Sequence, residues 1–112
     1  MRKKSVCIAT FNGEKYIEEQ LVSILEQLND TDEIIISDDN SSDNTLNIIN
    51  DLYDQRIKIY KNPNKGIISN FENALNLATG DYIFLCDQDD VWLPHKVETI
   101  IPYLKEYDLV VS

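Results

Sequence analysis

The amino-acid sequence predicts an α/β protein, a three-layer α/β/α sandwich with a mostly parallel sheet. Two observations predict this fold. Five short β-rich runs, at 5–10, 33–37, 57–60, 82–86 and 109–111, alternate with longer segments of helical period. Strands that are joined by helical crossovers pair in parallel, and right-handed crossovers cover both faces of the sheet. With 112 residues, the chain is expected to form one domain, 1–112.

The segments between the runs carry apolar residues at spacings of three and four, which is typical of amphipathic helices. The three stripes are, in chain order, Ile17, Leu21, Ile24, Leu25 and Leu28; Leu46, Ile48, Ile49, Leu52 and Tyr53; and Phe71, Ala74, Leu75 and Ala78. Ser42 or Asp43 is placed to cap the second helix. Pro94 suits the first turn of a fourth helix, which would run toward Tyr107 and be weakened or kinked at Pro102.

The acidic composition excludes one class of partner. Twenty acidic and ten basic side chains give a formal charge of -10, so the chain would repel a phosphate backbone and no nucleic acid is expected to bind. Clustered carboxylates can instead hold a hard divalent cation, which recruits a phosphorylated small molecule. A solvated acidic surface would explain the same composition, so the positions of the carboxylates must decide.

Two features favour a cytoplasmic location. The apolar run after the basic residues 1–4 is too short for a signal peptide, and no stretch approaches the roughly 20 apolar residues of a transmembrane segment. Cys7 and Cys86 lie in apolar strand-like runs, where thiols pack as small hydrophobes in a reducing compartment. We expect neither a disulfide nor a zinc site.

The residues after each predicted strand are the candidates for a binding site, because ligands of open parallel sheets bind beyond the carboxyl ends of the strands. The first strand is followed by Phe11, Asn12 and Gly13, which offer an aromatic ring and a tight turn. The ring could stack on a base, or it could fill the core beside a capped turn. Asn-Gly is also a hairpin signal, but the helical pattern that follows argues against a hairpin.

Two adjacent aspartates, Asp38 and Asp39, follow the second predicted strand. Successive side chains point to opposite sides, so one of the two should face the ligand crevice. A carboxylate there can accept a hydrogen bond from a base N–H or a ribose hydroxyl. Capping and turn chemistry explain Ser42 and Asp43 without a ligand, whereas two like charges side by side raise the electrostatic cost of the fold.

The strongest local signal follows the fourth predicted strand, where three carboxylates fall within four residues. The segment consists of Asp87, Gln88, Asp89 and Asp90. Such carboxylates repel one another unless a cation or a network of donors neutralises them. The ligands on offer are hard oxygens, which suits Mg²⁺ or Mn²⁺. The alternative is an acidic loop that is attracted to the positive end of the helix predicted near Pro94.

Four polar blocks occur in order along nearly the whole chain. They are Thr10, Phe11 and Asn12; residues 38–45; Asn64, Lys65 and Gly66 with Asn70, Asn73, Ala74 and 78–82; and residues 87–92. In this order and at these spacings they are similar to the family 2 glycosyltransferases. The last block, Asp-Gln-Asp-Asp-Val-Trp, most resembles rhamnosyltransferase-like members and those that build capsule or lipopolysaccharide sugars.

The resemblance implies a GT-A fold, a UDP- or dTDP-linked sugar as donor and a saccharide or lipid-linked acceptor. It implies that Thr10 and Phe11 line the base pocket and that Asp39 binds the base. Asp89 would ligate the Mg²⁺ or Mn²⁺ that bridges the diphosphate, with Asp87 beside it on the ribose or the metal. The other residues expected at the nucleotide-sugar site are Asn12, Asp38, Lys65, Gly66 and Gln88. A divalent cation suits this reaction because negative charge builds on the leaving diphosphate.

The chain departs from the family pattern at three positions. Phe11 replaces the commoner tyrosine, Asn40 stands where glycine is frequent, and Ser69 stands where many members carry arginine. Contact between the protein and the diphosphate would then be weaker, or Lys65 would substitute. The general base is expected beyond Ser112, so we expect a truncated, N-terminal part of a longer glycosyltransferase that binds donor and metal weakly and transfers no sugar.

Two other classes of protein stay open. Another Mg²⁺-dependent α/β phosphotransfer or receiver domain would also place an acidic pocket at strand ends, although it should carry an acidic pair after the first strand. The second class is a non-catalytic nucleotide-sugar-binding module.

Overall fold

The computed structural model describes residues 3–87 and 109–111 of the chain. Within these residues the chain forms five strands and three helices. In chain order they are β1 (Lys4–Thr10), α1 (Ile17–Leu25), β2 (Glu33–Asp38), α2 (Thr45–Asp51), β3 (Ile57–Lys61), α3 (Ile67–Leu77), β4 (Tyr82–Asp87) and β5 (Leu109–Val111). All five predicted strands are confirmed. The helix expected after Pro94 lies outside the described residues.

The strands form one sheet in the order β3-β2-β1-β4-β5, and every neighbouring pair is parallel. The chain moves outward from β1 to β3 and then returns to the other side of β1 with β4 and β5. The strand order therefore reverses between β1 and β4, which is where open α/β sheets bind their ligands. The parallel pairing of β1 also confirms that Asn12 and Gly13 do not form a hairpin turn.

Helices cover both faces of the sheet, which confirms the three-layer sandwich. Val6 and Ile8 of β1 point into the larger core, where they meet Leu21 of α1 and other residues of α1, α2, β2 and β4. Cys7, which lies between them in sequence, points to the opposite face and packs near Ala74 of α3. This alternation is the two-residue period of a strand, and burial on both sides explains why β1 and β2 are apolar with few interruptions.

A network of buried charge closes the amino ends of the central strands. Oε2 of the buried Glu33 accepts hydrogen bonds from the Ser5 hydroxyl (2.6 Å) and from the amide (2.8 Å) and hydroxyl (3.0 Å) of Thr79. Its Oε1 lies 2.9 Å from the ammonium of Lys58. Burial by itself raises the pKa of Glu33, but the hydrogen bonds together outweigh it and lower the pKa to about 2. Glu33 is therefore ionised and paired inside the fold.

Gly80 belongs to the same end of the sheet, where no side chain would fit. Its amide donates a 2.8 Å hydrogen bond to the Ser5 hydroxyl. A Cβ at this position would lie 2.6 Å from that hydroxyl, 2.8 Å from the backbone nitrogen of Ser5 and 2.9 Å from the carbonyl oxygen of Lys3. The Asp81 amide donates a 2.7 Å hydrogen bond to that same carbonyl. The family-like block at 78–82 therefore has a structural role. It lies at the amino ends of the strands, whereas the ligand was expected at their carboxyl ends.

Some element ends differ from the expectation. β2 and β4 are each one residue longer than predicted, so Asp38 and Asp87 are the last residues of strands and not the first residues of loops. Leu28 and Tyr53 lie beyond the ends of α1 and α2, and the assignment of Tyr53 to a helical stripe is wrong. Tyr53 has φ +51° and its side chain is 87% exposed, because the left-handed backbone conformation turns the chain out of the helix.

The two cysteines are buried on opposite faces of the sheet. Cys7 belongs to the core under α3 and Cys86 to the core under α1 and α2, and they are not joined in a disulfide. Burial raises the pKa of Cys7 to about 12, so this thiol stays protonated. In the described part of the chain, no helix has the length and apolar character that a membrane crossing requires.

Candidate functional site

The carboxyl ends of four strands meet at one edge of the sheet. Thr10 at the end of β1 pairs with Asp38 of β2, and Asp38 pairs with Lys61 of β3. On the other side of β1, Ala9 pairs with Asp87 of β4. Asp38 and Asp87 therefore flank β1, two strand spacings or about 10 Å apart in backbone position. Asp38 and the backbone of Asp87, the first residues of the two acidic segments that the sequence singled out, therefore lie at the edge where the strand order reverses.

A cleft of about 550 Å³ opens at this edge above β2 and β3. It is formed by the loops that follow β1, β2 and β3. The residues that line it are Phe11, Asp38, Asp39, Asn40, Lys61, Asn62, Pro63, Asn64 and Lys65. An aromatic ring, carboxylates and two lysines thus share one concave surface, which is the composition of a site for a small polar ligand with an aromatic part.

Thr10 and Asp38 are both buried and hold the two strand ends together; Asp38 lines the cleft, whereas Thr10 is not among its lining residues. The Asp38 side chain is 1% exposed. Its Oδ1 accepts hydrogen bonds from the hydroxyls of Thr10 (2.7 Å) and Ser41 (2.6 Å), and its Oδ2 accepts one from the Ser41 amide (2.8 Å). Three protein donors therefore satisfy this carboxylate, and the Thr10 hydroxyl is turned toward it.

Asp39 is the aspartate that is partly exposed to the cleft. Its amide donates a 2.9 Å hydrogen bond to the carbonyl of Thr10 and so continues the pairing of β2 with β1. Its Oδ2 accepts the amide of Gly66 at 3.1 Å, and its Oδ1 lies 3.3 Å from the side-chain amide of Asn62. The expectation that the two aspartates point to opposite sides agrees with this division into one buried and one cleft-lining side chain.

Phe11 is 53% exposed and forms one wall of the cleft, so the alternative that its ring fills the core is wrong. The loop that carries it is tied to the loop after β2. Oδ1 of Asn12 accepts the Ser42 amide at 2.8 Å, and the Asn12 amide donates to the Ser41 hydroxyl at 2.9 Å. Asn12, with φ +50°, thus lies beside the cleft and holds Phe11 at its rim.

The loop after β2 is shaped by residues with unusual backbone angles. Asn40 has φ +62°, a left-handed conformation that glycine and asparagine tolerate best, and this explains how asparagine replaces the glycine that is frequent there. At the start of α2, the Asp43 carboxylate accepts the Thr45 amide at 3.0 Å. The N-cap residue of α2 is Asn44, which makes no side-chain capping hydrogen bond, so the helix boundary lies one residue after the Asp43 that was expected to cap it.

Lys65 and Gly66 lie in the loop between β3 and α3, on the far side of the cleft from Phe11. Lys65 is exposed and lines the cleft, as does Lys61 at the end of β3. Gly66 has φ +102°, which a residue with a side chain rarely adopts, and this angle directs its amide to Asp39. Ser69 bonds through its hydroxyl to the carbonyl of Lys65 at 2.8 Å, so it braces the loop.

Only the first residue of the acidic segment 87–90 belongs to the part of the chain that the structure describes. The backbone of Asp87 ends the strand beside β1, while Gln88, Asp89 and Asp90 lie outside the described residues. Residues 3–86 hold no group of three side chains that could bind a metal. Asp38 and Asp39 are already hydrogen-bonded to protein donors, so a metal at this edge would depend on the segment that begins at Asp87.

Sequence reasoning missed Lys61, Asn62 and Pro63 as parts of the cleft. The signal was present, since a polar cluster follows the third predicted strand at 57–60, but no charge pattern marked it. Asn70 belongs to the family-like blocks but was given no role; it is a buried residue of α3 whose side-chain amide donates a 3.3 Å hydrogen bond to the carbonyl of Thr10. Its Oδ1 is buried and has no partner within the described residues.

Comparison with known proteins decides the family. The model of the family described as Glycosyl transferase family 2 matches residues 5–112. The chain belongs to glycosyltransferase family 2. This membership rules out the phosphotransfer and receiver domains that the sequence had left open.

Relatives of this family 2 chain include the dTDP-rhamnosyl transferase RfbG of Shigella flexneri, which is 44% identical over 105 residues, covering 87% of this chain and 36% of RfbG. A GalNAc(5)-diNAcBac-PP-undecaprenol beta-1,3-glucosyltransferase of Campylobacter jejuni is 37% identical over 110 residues, covering 95% of this chain and 36% of that protein. The chain therefore spans about a third of the length of these relatives.

Solved structures share the fold. S. aureus TarS 1-349 in complex with UDP-GlcNAc superposes with a TM-score of 0.81 at 28% identity, over 90% of this chain and 30% of that one. The mannosyltransferase PcManGT of Pyrobaculum calidifontis superposes with a TM-score of 0.83 at 23% identity, over 95% of this chain and 33% of that one. The family 2 chain thus has the expected GT-A fold.

Proposed function

We propose that this chain is the nucleotide-sugar-binding domain of a metal-dependent glycosyltransferase that builds cell-surface polysaccharide. The observation that carries the proposal is the cleft that Phe11 and Asp39 line together, at the carboxyl edge of a family 2 sheet. The whole protein would transfer a sugar from a nucleotide-diphosphate sugar to a saccharide or lipid-linked acceptor. Because the chain spans about a third of its relatives, donor binding is the step assigned to the residues described here.

The base is proposed to bind between Phe11 and Asp39. The exposed ring of Phe11 offers an apolar face on which a base can stack, and stacking on an aromatic side chain contributes about 1–3 kcal/mol per base. Asp39 offers carboxylate oxygens to a base N–H, such as N3–H of uracil or thymine. The UDP-GlcNAc complex of TarS and the dTDP-rhamnosyl transferase among the relatives support a UDP- or dTDP-linked donor.

The diphosphate is proposed to extend from the base past β1 toward the end of β4, and the lysines of the cleft contribute positive charge from the β3 side. Lys61 and Lys65 are exposed and line the same cleft as Phe11 and Asp39, so their positive charge attracts a nucleotide diphosphate to this edge. Ser69, where many family members carry arginine, offers only a hydroxyl that is bonded to backbone carbonyls. Lys65 therefore takes the role that the resemblance would give to an arginine, and Gly66 keeps its loop against Asp39.

Mg²⁺ or Mn²⁺ is the cofactor that fits this edge. Asp87 and Asp89 would hold it, since hard oxygen ligands suit these ions and the carboxylates of Asp38 and Asp39 are engaged by protein donors. When bound, the ion supplies Lewis-acid stabilisation of the charge that builds on the leaving diphosphate. The chain's own task is to hold the base and to bring the diphosphate to the end of β4.

Isothermal calorimetry of the 112-residue chain with UDP-, dTDP- and GDP-sugars, with Mn²⁺ and with EDTA, tests the proposal. We expect one pyrimidine nucleotide sugar to bind, and to bind more tightly with Mn²⁺. Asp89→Asn should remove the effect of Mn²⁺, whereas Asp51→Asn, on the exposed face of α2, should not. Absence of binding to all three classes of donor would contradict the proposed function, and binding that ignores EDTA would contradict the metal.

We also propose a cytoplasmic location. It is supported by the two thiols, which are buried on opposite faces of the sheet and so serve as apolar packing. Thiol labelling of the unfolded chain after purification from cells under oxidant-free conditions should find both cysteines reduced.

A further inference from the structure

We infer that Asn62 is a positioning residue for the nucleotide base, acting through Asp39. The inference rests on the proposed nucleotide-sugar function and deepens it. Asn62 lines the same cleft as Asp39 and Phe11, and its side-chain amide lies 3.3 Å from Oδ1 of Asp39. It fixes the direction in which the carboxylate presents its free lone pairs, and so contributes to the recognition of a base N–H that it does not touch.

The orientation of the Asn62 amide is set by three partners. Its Oδ1 accepts the backbone amide of Asn64 at 3.2 Å, which turns the NH₂ group toward Asp39. The NH₂ group has two hydrogens, and it lies 3.3 Å from Asp39 and 3.1 Å from the Ser69 hydroxyl. Both hydrogens are therefore used inside the protein, so Asn62 acts on Asp39 and is not itself a donor to the base.

The backbone and the first turn of α3 hold Asn62 in place. Its amide nitrogen donates a 2.8 Å hydrogen bond to the carbonyl of Asp38, which extends the pairing of β3 with β2. Ser69 directs its hydroxyl toward the carbonyls of Lys65 (2.8 Å) and Gly66 (3.1 Å), so it accepts from Asn62. A continuous set of hydrogen bonds thus links the start of α3 to the carboxylate of Asp39.

The other carboxylate oxygen is held independently. Oδ2 of Asp39 accepts the Gly66 amide at 3.1 Å, so each oxygen has one protein donor. An ionised carboxylate has about four acceptor positions, which leaves lone pairs on both oxygens for a ligand. The side-chain amide of Asn62 and the backbone amide of Gly66 together fix the plane of the Asp39 carboxylate. The acceptor is therefore oriented before a base binds, and less side-chain conformational entropy is lost on binding.

Binding of UDP and of its N3-methyl analogue by calorimetry tests the inference, with dTDP and its N3-methyl analogue as a second pair. The methyl group removes the N–H that Asp39 would accept and places a methyl in front of the carboxylate, while the ribose and the diphosphate are unchanged. We expect the wild-type chain to prefer UDP over the analogue by about tenfold, the size of one hydrogen bond to a charged group. Asn62→Ala should lower this preference to about threefold or less, because the carboxylate is then free to rotate. Asp39→Ala, which removes the acceptor altogether, marks the full loss.

A purely structural role for Asn62 predicts a different result, namely equal weakening of UDP and analogue with the preference intact. That result would overturn the inference while leaving the proposed function standing. A wild-type chain that binds neither nucleotide would instead overturn the proposed function.

Ser69→Ala removes a hydrogen-bond partner of Asn62 without changing Asn62 or Asp39, and it should also lower the preference for UDP over its analogue. If Asn62→Ala does not fold, Ser69→Ala tests the inference in its place. Asn76→Ala, an exposed asparagine of α3, is the matched control and should behave as wild type.

Discussion

The hydroxyl of Thr10 donates a 2.7 Å hydrogen bond to Oδ1 of Asp38, across the paired ends of β1 and β2. Two residues that were both expected at the nucleotide-sugar site thus bind each other at the strand ends beside the cleft, where both are buried. Asp39, the next residue, is left to line it. Adjacent aspartates of one sequence block therefore have different tasks, and each task predicts a different result on substitution.

Replacing Asp38 should affect stability more than binding. Asp38→Ala leaves the Thr10 hydroxyl and the amide and hydroxyl of Ser41 without their acceptor in a buried place, and we expect a loss of about 3 kcal/mol in the free energy of unfolding. Asp39→Asn should cost less than about 1 kcal/mol, because Asp39 is partly exposed. Urea denaturation followed by circular dichroism measures both. Equal losses for the two variants would contradict this division.

Removing the ring of Phe11 should affect binding more than stability. Phe11 is 53% exposed, so Phe11→Ala should cost less stability than truncation of a fully buried ring, while the loss of stacking should weaken binding of the nucleotide sugar about tenfold. Phe11→Tyr, which restores the commoner family residue, should keep the affinity. Tyr16→Ala is the control, since Tyr16 is 51% exposed at the start of α1 and does not line the cleft. Calorimetry that finds the two alanine variants alike would refute the assignment.

Acid should destabilise the fold through Glu33. Its folded pKa of about 2 lies below the ordinary value of 4.5, so the group stabilises the fold at pH above about 4.5 and this contribution is lost as the pH falls toward 2. The difference corresponds to about 3 kcal/mol. Glu33→Gln should show a flatter dependence of unfolding free energy on pH in this window. Glu72→Gln, at an exposed position of α3, should follow the wild-type curve.

Gly66 and Gly80 should respond differently to alanine. Gly80→Ala places a Cβ 2.6–2.9 Å from Ser5 and Lys3, including two backbone atoms, and we expect a cost of about 3 kcal/mol in unfolding free energy. Gly66→Ala meets no atom within 4 Å, but its φ of +102° is strained for alanine and should cost about 1–2 kcal/mol. Gly80→Ala should leave the relative preference among nucleotides unchanged, whereas Gly66→Ala should weaken binding because its amide is bonded to Asp39.

The five strands, and the acidic residues that end two of them, were predictable because they depend on residue types that are close together in the sequence. Apolar runs such as Ile34–Ile36 are buried on both faces, and a strand of that kind has few alternatives in a chain with helical segments on either side. Helix ends were less predictable. Tyr53 fits the apolar stripe of α2 by spacing alone, and it leaves the helix because the chain turns at a left-handed residue.

The sequence by itself determined the succession of strands and helices along the chain, the protein family and the acidic residues at the ends of β2 and β4. These properties are carried by residue types at short spacings. Only the tertiary structure decided which aspartate is buried, that Phe11 lines the cleft and that Asn62 reaches Asp39, because these contacts join side chains from different loops. Their partners are fixed by the parallel register that brings the ends of β1, β2 and β3 together, and that register is a property of the assembled sheet.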